Sequence, residues 1–397
     1  MPPIVLPTPR NSNGWLRLPV STDCVILNTT INTDDELWSA LEYYSEVEEV
    51  GINLIQTRGL LPQTQHQEIY KYLQAFVRQA KTYYYSAKKL HYRSSSLLYY
   101  YSFLNLVKAY LLLRNPNFIM GRTANAVVHG LSYRPSTANI DFRLETVSIK
   151  DGIFPLFYEA LTNQQIPTIQ NFLNVVNLLG YCSDIGYQYE TAGFGDTKIL
   201  PSVATITVDQ GTNQAWTIIG IPAKNNILDP FLTNHGNFLT DFQEISLPPT
   251  PAGRIDFNNK FDMPSNELNK FRFFQDITTI PMAGNLIIPQ VHIDKIINAL
   301  TPHFNFHYYA ENRDFDLPIP YSDAAHATAI PMNEVLGIYI VMFYLSSLVR
   351  YRPNYLESLL NYKPSWLIES FVKSTPETFL RTMVSKIVGR DLILRTR

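Results

Sequence analysis

The chain has 397 residues, of which 46% are hydrophobic and 17% charged, with 25 tyrosines and 22 phenylalanines. That composition excludes an intrinsically disordered protein and suffices for two or three domains, or one large body with an insertion. The net charge of −2 points to no class of partner, and two widely separated cysteines, Cys24 and Cys182, exclude a disulfide framework and a cysteine-based zinc site, so a reducing cytoplasm is the expected setting.

The opening "MPPIVLPTPR" lacks the basic and apolar regions of a signal peptide. A first helix is predicted at "TDDELWSALEYYSEVEEVG". Thr33 and Glu36 form a capping box, the acidic first turn suits the positive helix end, and Gly51 supplies a stop. Residues 34–49 hold seven acidic side chains and no basic one. The clearest helix covers 64–90, where Ile69, Leu73, Phe76, Val77, Ala80, Tyr84 and Ala87 recur at steps of three and four. Lys71, Arg78, Lys81, Lys88 and Lys89 fall mainly off that stripe. "HYRSSS" reads as a turn, with one of the serines 94–96 as the next N-cap. The following helix, about 96–113, is apolar nearly all round and so belongs in the middle of a bundle. "RNPN" ends it, and a short helix around "TANAVVHG" is expected to close at Gly130.

Residues 69–140 carry ten basic side chains and no acidic one. Two explanations stand: the cations complement acidic segments of this same chain, or they are the footprint of an anionic partner. Beyond 141 the texture changes. "ILPSVATITVDQGTNQAWTIIGIP" reads as two strands joined by a Gly-Thr-Asn turn, and "FQEISLPPTPAGRIDF" and "NLIIPQVHI" suggest further strands. Helices return in "IDKIINAL", "PMNEVLGIYIVMFYLSSLVRY" and "PSWLIESFVKS". The apolar run 335–349 is short for a bilayer span and suits a buried helix, so no membrane role is expected.

Geometry judges the two tyrosine triplets, 83–85 and 99–101. Consecutive helical residues point about 100° apart, so no triplet forms one flat stacking face, and core packing is the expected role. "GFGD" at 193–196 lacks the setting of a dinucleotide loop, no P-loop occurs, and His303 and His307 lack the glutamate of a zinc-protease motif. No metal and no cofactor is therefore expected. Arg350 and Arg352 follow a buried helix and are expected to serve its C-terminal end or an acidic partner within the fold.

The segments "YYYSAKKLHYRSSSLLYYYSFLNLVKAYLLL", "VVHGLSY" and "FYLSSLVRYRPNYLESLL", in that order, resemble the YaaC-like family of bacterial proteins. Residues 64–133 also resemble a HEPN domain, a helical bundle with a Tyr-rich central helix followed by a histidine-bearing helix. Many HEPN proteins are metal-independent ribonucleases with an Arg-x4–6-His motif, some in stress or antiviral defence; others are scaffolds. The resemblance implies Arg122 and His129 as the catalytic pair, with Asn125 between them, and active sites that form across a homodimer. Histidine moves protons near neutral pH, and a guanidinium offsets charge on a scissile phosphate. On a helix the seven-residue step rotates by about 700°, placing both on nearly one face. The plainer reading makes His129 the cap of a short helix and Arg122 a loop cation. Lys81, Lys88, Lys89, His91 and Arg93 are the candidate phosphate contacts, or simply a solvated basic turn.

The expected architecture is α+β, mainly α: a HEPN-like bundle from the N-terminal third and C-terminal helices, with a mixed β-containing middle domain. The divisions are 1–63, an extension with the acidic helix; 64–140, the basic core; 141–290, the β-rich middle; and 291–397, helices packing on the core. The expected function is RNA binding or cleavage, and the alternative is a non-catalytic scaffold with a protein partner.

Overall fold

The computed structural model describes residues 6–16, 24–28, 33–60, 62–121, 128–133, 141–167, 171–224, 228–229, 232–233, 240–264, 266–282, 288–289, 292, 295–296, 305–309, 312–318, 321, 330–361 and 364–395. The chain divides into two compact units. One comprises Met1–Cys24 and Ile199–Ile319, the other Val25–Lys198 and Pro320–Arg397. The fold is α+β and mainly helical.

The first unit is built on an antiparallel sheet. Its strands run in the order Asn305–Tyr309, Asn312–Pro318, Ile199–Asp209, Gln214–Pro222, Phe271–Asp276 and Phe242–Ile245. The predicted hairpin is present, with Asp209 opposite Gln214 and Asn213 in the left-handed region at φ 55°. Side chains alternate between faces along Gln214–Pro222. Ala215, Ile219 and Ile221 enter one apolar layer, Trp216 and Ile218 the other. Both faces are covered, which is why the strand reads as a continuous apolar run. In "PPTPAGRIDF" the expected strand stops early: only Phe242–Ile245 is extended, and Pro251–Phe261 is a helix. Thr250 caps it by accepting from the Gly253 N–H at 3.1 Å, and proline stands at its start, where no N–H is needed. Most of "NLIIPQVHI" and "IDKIINAL" lies outside the described residues.

The second unit holds ten helices among its described residues: α1 Thr33–Glu46, α2 Glu48–Thr57, α3 His66–Lys88, α4 Tyr92–Arg114, α5 Ile153–Thr162, α6 Val175–Leu179, α7 Gly186–Thr191, α8 Glu334–Tyr351, α9 Pro353–Leu360 and α10 Pro364–Val388. The apolar-all-round α4 takes the central place its sequence requires, packing against α3, α8, α10 and α5. Ser102 Oγ donates to the Ala80 carbonyl at 2.8 Å, and the Phe103 and Phe379 rings stack at 3.9 Å. α8 is the one described helix long and apolar enough to cross a membrane, yet 83% of its span is buried inside the protein. Asn333 caps it by accepting from the Leu336 N–H at 2.9 Å.

Two predicted boundaries move. Gly51 does not stop a helix but lies within α2, where an added Cβ would sit 2.4 Å from the Tyr70 ring. It is a close-approach glycine for the α2–α3 contact. The N-cap of α4 is His91 rather than a serine, because the His91 Nδ1 accepts from the Arg93 N–H at 3.4 Å.

A three-stranded antiparallel sheet, His129–Tyr133, Thr146–Gly152 and Phe172–Asn174, adjoins the helices. His129 therefore opens a strand and does not end a helix. Residues 122–127 of the expected short helix lie outside the described residues.

Candidate functional site

The acidic and basic segments meet within the second unit. α1 lies along α3 in reverse order, so that Asp34 takes Lys88 at 2.5 Å, Glu42 takes Lys81 at 2.5 Å, and Glu46 takes Arg78. Tyr84 donates to the buried Asp34 at 3.0 Å, and Tyr85 donates to Asp35. Arg93 pairs with Glu357 of α9. Intramolecular complementarity thus accounts for Lys81, Lys88 and Arg93. His91 is a capping residue whose ring packs at a tilt against Tyr92, with centroids 4.4 Å apart. Lys89 is exposed at the C-cap of α3.

Arg122 and Asn125 lie outside the described residues. With His129 on a strand, the helical step that aligned it with Arg122 no longer applies.

The backbone around His129 is specific. His129 is paired opposite Gly152, and the register shifts between His129 and Leu131. Gly130 sits at φ +74°, and a Cβ there would meet the Phe154 backbone nitrogen at 2.7 Å. Gly152 has φ +145°, and its Cβ would meet the Gly130 nitrogen at 2.6 Å. Two glycines thus let the bulged strand turn tightly against the start of α5, the kind of irregularity that re-aims a side chain.

That side chain is half-buried and reaches α4. Its Nδ1 lies 2.8 Å from the Tyr100 hydroxyl, and Tyr100 in turn lies 3.5 Å from the Tyr339 hydroxyl of α8. Tyr100 is 1% exposed and its ring packs on His129, Tyr339 and Phe343. The imidazole is therefore held in one orientation through one nitrogen. Nε2 has no hydrogen bond among the described residues. Burial, and then the charge of Lys108, lower the His129 pKa from its ordinary 6.5. The ring is consequently neutral at pH 7.

Two cations flank this pair. Lys108, on α4, perturbs His129, while Arg350, at the end of α8, perturbs Tyr100. Neither has an acidic partner among the described residues. The Arg350 guanidinium lies 5.1 Å from the centre of the Tyr101 ring, and Tyr83 packs 5.5 Å from Tyr101. Arg350 stands at the helix end its sequence position implies, whereas Lys108 and Tyr100 are not among the residues the sequence singles out. Lys108 carried one signal, being the only charge between Arg93 and Arg114 on an apolar helix. Nothing distinguished Tyr100 from its neighbouring tyrosines.

The fold and this site define a mainly helical α+β protein with a tyrosine-rich bundle and a separate antiparallel sheet unit. The sequence model of the YaaC-like Protein family matches residues 55–387, and the chain belongs to that family. No curated protein and no solved structure matches it.

Proposed function

We propose that the face around His129 binds single-stranded RNA, and that His129 makes the protein a metal-independent endoribonuclease built on a HEPN-like helical hairpin, α3–α4. The observation that carries this reading is the neutral His129, oriented by Tyr100, with Lys108 acting on the imidazole and Arg350 acting on Tyr100 from beside the Tyr101 ring, both without acidic partners among the described residues. Cations meet phosphates and an aromatic–guanidinium platform meets a base, which is how single strands are held without base pairing. In the tautomer where Nδ1–H donates to Tyr100, the Nε2 lone pair is free. It takes the proton of a ribose 2′-hydroxyl as that oxygen attacks the adjacent phosphorus. The 5′-oxygen leaves and is protonated by water, giving a 2′,3′-cyclic phosphate. Arg350 offsets the charge on the phosphate oxygens.

The test is incubation of the purified chain with a mixed RNA pool in EDTA. Cleavage to cyclic phosphate ends is expected, lost by about 100-fold or more in His129→Ala. No cleavage and no salt-sensitive RNA binding would leave the second reading, a scaffold that binds a protein partner. One observation favours that alternative: the acidic α1 already occupies Arg78, Lys81 and Lys88.

A further inference from the structure

A cavity of about 320 Å³ opens where the end of α3 and the start of α4 meet α10. That is within the range of small-molecule sites, roughly 300–1,000 Å³. Tyr84, Tyr92 and Tyr99 supply aromatic wall, and Asp34, Lys88, Lys373 and Glu377 supply charge. Both lysines are already committed, Lys88 to Asp34 and Lys373 to Glu369, each at 2.5 Å.

The acceptors are not matched in the same way. Glu377 has no hydrogen bond or ion pair among the described residues. The charges that act on it are Asp34 and Asp184 on one side, Arg381 and Lys88 on the other, and burial is the largest influence, raising its pKa. Tyr99 is 7% exposed and lines the cavity, and its hydroxyl has no hydrogen-bond partner among the described residues. Pro376 lies inside α10 and has no N–H, so the Val372 carbonyl one turn earlier lacks its helical donor. Val372 and Pro376 both line the cavity. A carboxylate and a hydroxyl without protein partners among the described residues are thus gathered beside a carbonyl that lacks its usual helical donor, while the two lysines lining the cavity are paired. The Glu377 side chain is exposed and meets solvent at the cavity, so the ligand group that best replaces that water is a donor with positive charge.

We propose that this cavity binds a small organic cation, an amine or guanidinium on a short aliphatic stem. Its head is held by Glu377, the Tyr99 hydroxyl and the Val372 carbonyl, and its stem lies against the tyrosine rings, whose faces attract cations. An anion is disfavoured because Lys88 and Lys373 already have carboxylate partners. The site uses neither His129 nor Arg350 and does not depend on the RNA reading.

Calorimetric titration of the full chain with agmatine tests it, with glutarate as the anionic comparison. Saturable one-to-one agmatine binding is expected, and no glutarate binding. Glu377→Gln, a change of the same size at an exposed side chain, weakens agmatine binding by at least about tenfold, and Tyr99→Phe by about threefold. His129→Ala leaves it unchanged, so failure of the ribonuclease reading is read separately. Absence of saturable agmatine binding at low millimolar concentration, equal binding by Glu377→Gln, or glutarate binding as well as agmatine would each overturn the proposal.

Discussion

His129 concentrates the functional argument in one imidazole. Burial and Lys108 both disfavour its charged form, so the proposed base stays neutral to lower pH than a free histidine. Cleavage should therefore rise with pH through a midpoint below 6.5 and level off above it; a midpoint at or above 6.5 would contradict the assignment. Tyr100→Phe keeps the ring contacts with Tyr339 and Phe343 but removes the hydroxyl that orients Nδ1. It should lower cleavage by about tenfold and stability by only about 1 kcal/mol. A second residue makes a pH prediction in the other unit. Burial pushes the Asp276 carboxyl up to about 6, against the Thr217 N–H bond and the nearby Arg10 charge, which pull it down. A raised folded-state value means that the native protein binds the extra proton between about pH 3.9 and 6. Its contribution thus falls as pH rises through that window and is level above. The stability difference between wild type and Asp276→Asn, measured by urea unfolding, should change by up to about 3 kcal/mol across the window and be flat above pH 6.

At the scale of elements, the contact of α1 with α3 is the feature most open to measurement. Asp34 is 5% exposed and holds both Tyr84 and Lys88, whereas Glu42 and Lys81 meet at the surface. Double-mutant cycles should give a coupling of about 1 kcal/mol for Asp34–Lys88 and about 0.5 or less for Glu42–Lys81, the latter fading in salt. Equal couplings would mean that burial of Asp34 has no weight. Gly51→Ala forces a methyl against Tyr70 and the Tyr44 carbonyl, 2.4 and 2.5 Å away, and should cost about 1–3 kcal/mol in unfolding experiments. Much of this was legible in the sequence. The steps of three and four in α3, the all-round apolarity of α4 and the opposed charge blocks are periodic or compositional signals, and they foretold a buried central helix. His91 as a cap was not legible, because serines nearby are better caps in general. Nor was the sheet around His129, because its strands are short and come from separate segments, so that the alternation in Thr146–Lys150 and Gly130–Tyr133 spans only four or five residues. The helix Pro251–Phe261 was hidden by its prolines, which read as strand punctuation and act as a helix start.

At the scale of the molecule, the family match runs from 55 to 387 and so draws on both units, while the proposed RNA face belongs to the helical one alone. Phe273 packs on Phe257 and Phe261 at 4.8 and 5.2 Å in the sheet unit. Phe273→Ala should cost that unit about 3–5 kcal/mol, visible as lost amide protection in Ile199–Asp209 and Gln214–Pro222, with the protection of α4 kept. The candidate site was less legible than the fold because four of the cations that sequence made conspicuous, Arg78, Lys81, Lys88 and Arg93, are engaged by the chain's own carboxylates. Lys108 and Arg350, neither paired with a carboxylate among the described residues, stand 242 positions apart in sequence; the first acts on His129 and the second on Tyr100, its hydrogen-bond partner. The most direct test of the central claim is the affinity of the chain for a fluorescent single-stranded RNA across a salt series, compared with Lys108→Ala and Arg350→Ala. Each substitution should weaken binding and reduce the slope of log affinity against log salt by about 0.7, one phosphate contact. Binding that is absent, insensitive to salt or unaltered by both substitutions would contradict the account.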